Sequence, residues 1–107
     1  MIELKKEFHT GTGDFRQLFK DGGLVVYQIT RKHDNGVITH WYEVFQLKTH
    51  KPNNFVTDEY EVYPSSSNFG DWAWSCTNEE SVWRILRRHF PDHDVTKGVQ
   101  TLDLTWK

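Results

Sequence analysis

The 107 residues carry 13 lysines and arginines against 15 acids, a formal charge of −2, with 36% hydrophobic and 15% aromatic residues. That length suits one α+β domain, residues 1–107, whose core is built from large rings rather than many aliphatics. The charge balance gives no global pull toward nucleic acid or an anionic membrane, no apolar run approaches a bilayer span, and the single cysteine, Cys76, excludes an internal disulfide and a thiolate zinc cluster.

In chain order, "MIELKKEFHT" alternates apolar and charged residues, which predicts a half-buried strand and not a signal peptide. "HTGTGD" is a turn; its glycines lack the Gly-Lys-Ser/Thr of a phosphate loop. "DFRQLFK" carries Phe15, Leu18 and Phe19 at helical spacing, but the eight residues between Gly13 and Gly22 are too few for a stable helix, so a strand is preferred. "LVVYQITRK" has strand composition, and "HDNG" marks a hairpin. A two-residue loop would pair Ile29 with Tyr42. A three-residue loop, Asp34-Asn35-Gly36 with a left-handed Gly36, pairs Ile29 with Trp41 and Val25 with Phe45. The second choice gathers Val25, Tyr27, Ile29, Trp41, Phe45 and Leu47 on one face and is preferred. Gln28, Thr30, His40, Tyr42 and Gln46 fall on the other.

"FVTDEYEVY" reads as a further strand with Val56, Tyr60 and Val62 inward. Residues 77–90 read as the one helix. Thr77 and Glu80 form a capping box, Val82, Trp83, Ile85, Leu86 and Phe90 an apolar stripe, and Arg84, Arg87 and Arg88 the outer face. Pro91 ends it. "VQTLDLTWK" alternates Leu102, Leu104 and Trp106 as a closing strand. The expected fold is a mostly antiparallel meander of about four to six strands with one helix across a face. The opposite face is then at least partly wet and carries His40, Tyr42 and Gln28.

"KDGGLVVYQITRK", "YEVFQLK" and "EYEVYPSSSNFGDWAW" together resemble small proteins carried by bacterial phages and mobile elements. The resemblance covers about three-fifths of the chain, implies a bacterial or viral cytoplasmic setting, and carries no activity. A lone cysteine agrees with a reducing compartment.

Function is weighed at four places. In "YPSSSNFGDWAWSC", an extended backbone puts Trp72, Trp74 and Cys76 on one side, and burial beside Trp83 is expected; the functional alternative exposes one ring with Phe69 as a stacking platform. The helix arginines follow what the helix dipole favours. His89, Asp92, His93 and Asp94 have ligand chemistry, but Pro91 breaks their register, so no metal site is assigned. Cys76 alternates with tryptophans, which argues for burial over nucleophilic catalysis. No catalytic residue and no cofactor are assigned. The leading expectation is a non-enzymatic binding or accessory protein acting through a protein contact. The alternative is single-stranded nucleic-acid binding on the open sheet face. The candidate binding surface is Tyr42, His40, Tyr27, Phe69 and Trp72.

Overall fold

A computed structural model describes residues 1–55 and 57–106. Its centre is an antiparallel sheet built from β1 (Glu7–Thr10), β2 (Gly13–Asp21), β3 (Leu24–Lys32), β4 (Ile38–Gln46) and β7 (Ala73–Cys76), ordered β1-β2-β3-β4-β7. Between β4 and β7 the chain makes a small two-stranded sheet, β5 (Thr49–His50) with β6 (Tyr60–Glu61), and a short 3-10 turn at Ser66–Asn68. One helix, α1 (Glu79–His89), follows.

The β3–β4 hairpin has the expected register: Ile29 pairs with Trp41 and Val25 with Phe45. His33 donates to the Val37 carbonyl, which closes a loop of Asp34-Asn35-Gly36, and Gly36 has φ +85°. That conformation costs a side-chain-bearing residue roughly 1–2 kcal/mol, so glycine fits the turn. β2 is a strand, and its ladder slips between Gln17 and Phe19. The extra residue at this bulge is Leu18. It lets Leu18 and Phe19 both pack on one cluster while Phe15 joins the other.

Both faces of the sheet are covered. One carries Phe15, Val25, Tyr27, Ile29, Phe45 and Ala73, closed over by Leu4, Leu47, Tyr63, Phe69 and Trp72. The other carries Leu24, Val26, Tyr42, Val44 and Cys76, packed under Val82 and Leu86 of the helix and Val95, Leu102 and Leu104 beyond it. The expectation of a wet face bearing Gln28, His40 and Tyr42 is therefore corrected. The helix lies on the Tyr42 side, Gln28 is buried, Tyr42 is 1% exposed, and only His40 stays exposed. The physical reason lies in "LVVY": four consecutive apolar residues put bulk on both faces, so neither face can stay open without forfeiting burial.

Three further expectations are corrected. The helix cap is Asn78, whose side chain accepts from the Ser81 amide at 2.8 Å, and not Thr77. Cys76 is still paired with Tyr42 in the sheet, so Thr77 serves as the link out of β7. The described residues toward the C-terminal end form no ladder. Leu102 and Leu104 are buried alternately as expected, yet the segment lies across the helix-side face, where Tyr42 Oη donates to the Leu104 carbonyl at 2.7 Å. The strand expected at 55–63 shrinks to Tyr60–Glu61, with Tyr60 and Val62 half-buried and Phe55 fully outward. Val56 lies outside the described residues.

Candidate binding groove

Alternation along β4 places Glu43 between Trp41 and Phe45 on the aromatic face, beside Tyr27 of β3 and Ser75 of β7. A carboxylate there sits mid-sheet among rings, and Glu43 is only 8% exposed. Removing such a group from water costs several kcal/mol unless its oxygens find donors. They do: the Trp41 indole Nε1–H donates to Oε2 at 3.0 Å, and the Tyr63 hydroxyl donates to Oε1 at 2.6 Å. Two hydrogen bonds to a charged group contribute about 1.5–3 kcal/mol each, which offsets much of the desolvation.

Tyr63 is held in place by rings. Phe8, Phe15, Tyr27 and Phe45 meet it edge-on with centroids 5.0–5.4 Å away. Burial, and next the neighbouring Glu43 charge, push the Tyr63 phenol far above its ordinary range. It therefore remains a donor at any physiological pH.

Above Glu43 the surface opens into a groove of 670 Å³. Phe8, Phe15, Tyr63 and Phe69 wall it, and the hydroxyl-bearing residues Thr10, Thr12, Ser66 and Ser75 line it as well. The serine run positions the Phe69 wall. Ser65 N–H donates to Asn68 Oδ1 at 2.9 Å, Asn68 N–H returns to the Ser65 carbonyl at 2.9 Å, and the Asn68 carbonyl then takes the amides of Asp71 and Trp72. This self-closed turn delivers Phe69 to the groove and Trp72 to the sheet.

The two neighbouring tryptophans part company. Trp74 lies in β7 opposite Val44 on the helix side, stacked on His89 at 4.0 Å and edge-on to Phe90 at 6.0 Å. Trp72 precedes the strand and packs on the aromatic face, edge-on to Phe45, with Lys48 Nζ 5.8 Å from its ring. The expectation that both rings share a side with Cys76 is corrected, because strand alternation begins only at Ala73. Both rings are half-buried.

Of the surface expected from sequence, only Phe69 borders the groove. Tyr27 is buried in the aromatic cluster, its hydroxyl donating to the Lys5 carbonyl at 2.6 Å. Tyr42 is buried on the opposite face beneath Trp106, 4.8 Å from it, and His40 meets the same indole at a 45° tilt, 4.5 Å away. An open platform of Tyr42, His40 and Tyr27 does not exist in this fold.

His89 stacks on Trp74, whereas His93 bridges Asp21 O at 2.9 Å and Val95 N at 3.0 Å, clamping the chain after the helix to the β2–β3 turn. Cys76 is buried, and burial pushes its thiol up to about 11 against an opposing pull from Arg84. The helix arginines are exposed, with Arg84 3.8 Å from Glu80.

The residues missed from sequence are Glu43 and its two donors. The signal for Glu43 and Trp41 was present in "WYEVF", where the preferred register sets one acid among rings. Comparison with known protein families, with characterised proteins and with solved structures yields no match.

Proposed function

We propose that the chain is a binding protein whose site is the groove over Glu43, and that it engages a segment of a partner protein there. The observation that carries this reading is the conjunction of an open, ring-walled groove with a nearly buried carboxylate on its floor. Concave apolar walls with a few placed polar groups are the general form of a recognition site. The hydroxyls around the groove suit hydrogen bonding to a peptide backbone. A carboxylate floor disfavours phosphate, which argues for a protein partner over a nucleic acid. The cytoplasmic, phage or mobile-element setting belongs to the same proposal and rests on the short motifs quoted above.

Selection of displayed random peptides against the intact chain tests this reading. Ser75 is exposed and borders the groove, so Ser75→Trp fills it from the edge strand. Selected peptides are expected to bind Arg87→Ala as they bind wild type and to lose about tenfold or more against Ser75→Trp. Peptides indifferent to Ser75→Trp, or a selection yielding none that depend on the groove, would overturn the assignment.

A further inference from the structure

We propose that the partner anchors in the groove through an arginine side chain, its guanidinium on the Glu43 carboxylate and against the surrounding rings. This rests on the reading of the groove as a protein-binding site and adds the chemistry of what enters it.

Two acids of this fold are nearly buried, and they are treated differently. The Glu61 side chain is 6% exposed and has its cation, Lys20 Nζ at 2.5 Å. Glu43 is similarly buried, yet among the described residues no lysine, arginine or histidine nitrogen lies within 4 Å of it. A buried charge is normally paired. The partner that Glu43 lacks within the chain is a cation, and the groove is the side from which one can arrive.

Acceptor capacity points the same way. A carboxylate offers about four acceptor positions. Trp41 occupies one on Oε2 and Tyr63 one on Oε1, which leaves capacity on each oxygen. A guanidinium presents paired N–H donors in a fixed fork and has no acceptor of its own, so it matches one free position on each of two oxygens. Its flat cation also lies well on ring faces, and Phe8, Tyr63 and Phe69 supply rings around the same opening. A neutral apolar occupant would cover the carboxylate without neutralising it, and an anion would be repelled.

The test uses Nα-acetyl-arginine N-methylamide, the neutral isostere Nα-acetyl-citrulline N-methylamide, and the corresponding lysine amide. The indole N–H of Trp41 is the reporter, because it donates directly to Glu43; a Trp41→Phe variant assigns its resonance. The arginine probe is expected to shift that resonance saturably with a Kd on the order of 1 mM. The citrulline probe should bind about tenfold more weakly and the lysine probe in between. Glu43→Gln should abolish the preference for arginine over citrulline. Ser75 pairs with Glu43 across β4 and β7, so Ser75→Arg supplies a tethered guanidinium. It should shift the Trp41 indole without added ligand and block the arginine probe.

Equal binding of the charged and neutral probes overturns the proposal, as does a preference that survives Glu43→Gln. If Glu43→Gln does not fold, an unshifted Trp41 resonance and undiminished probe binding in Ser75→Arg overturn it. Groove-dependent peptides without arginine would leave the groove as a binding site and remove only this inference.

Discussion

Tyr63→Phe isolates the donor beneath the groove. The ring stays, and with it the edge-on contacts to Phe8, Phe15, Tyr27 and Phe45. Only the hydroxyl 2.6 Å from Glu43 Oε1 is lost. A hydrogen bond to a buried charge contributes about 1.5–3 kcal/mol. For 107 residues, at roughly 2.1 cal/mol/K per residue, that corresponds to a fall in Tm of about 7–13 °C. In a Glu43→Gln background the same substitution removes a neutral bond, worth about 0.5–1.5 kcal/mol. The double-mutant cycle should therefore show a coupling of about 1 kcal/mol or more. Urea unfolding at pH 7 measures all four species.

A pH arm follows from the raised phenol. Burial and the Glu43 charge hold the folded Tyr63 proton above the pH near 10 where an unfolded tyrosine releases it. Below pH 10 this contribution is present in full. Above it the unfolded state binds fewer protons than the folded state, so stability falls with rising pH, by at most about 1.4 kcal/mol per unit from this group. Tyr27 and Tyr42, also raised by burial, fall in the same direction, so Tyr63→Phe should make the alkaline decline shallower without removing it. A Tyr63→Phe variant within about 0.5 kcal/mol of wild type at pH 7, or one equally costly with and without the Glu43 charge, would refute the reasoning.

Other substitutions report on the scaffold. Gly36→Val, placed at φ +85°, should cost about 1–2 kcal/mol by denaturant unfolding; an unchanged midpoint would mean that the turn relaxes freely. Asn78→Ala should cost about 1 kcal/mol by removing the acceptor for the Ser81 amide, whereas Thr77→Ala should stay within about 0.5 kcal/mol of wild type; the reverse order would put the cap back on Thr77. Native Cys76, buried with its thiol raised to about 11, should react with a disulfide reagent at pH 8 at least roughly a hundredfold more slowly than a free thiol, and denaturant should abolish the difference. Labelling of the folded protein at the free-thiol rate would contradict its burial.

Features set by neighbouring residues were legible in the sequence. "HDNG" and the segregation of faces determined the β3–β4 register, because a one-residue slip would have put Tyr27 and Ile29 on the opposite face from Trp41 and Phe45. The helix stripe from Val82 to Phe90 followed from its 3.6-residue period. The ambiguity of "DFRQLFK" was physical: a bulge at Leu18 shifts a strand's period of two so that it resembles a helical turn. Where two local solutions lay side by side, long-range pairing chose between them. Thr77 and Asn78 can both cap, and the extent of β7 along β4 selected Asn78. Alternation put Leu102 and Leu104 inward, but a strand needs a pairing partner as well as a pattern, and that segment crosses the sheet face with Tyr42 bonded to Leu104. Local pattern likewise assigned Glu43 to the side of Trp41 and Phe45. Only the tertiary fold brought Tyr63 from 20 residues away over that carboxylate and raised Phe69 beside it. The reason is that the closure of a long excursion between β4 and β7 depends on which rings pack together in space, and no local period records that choice.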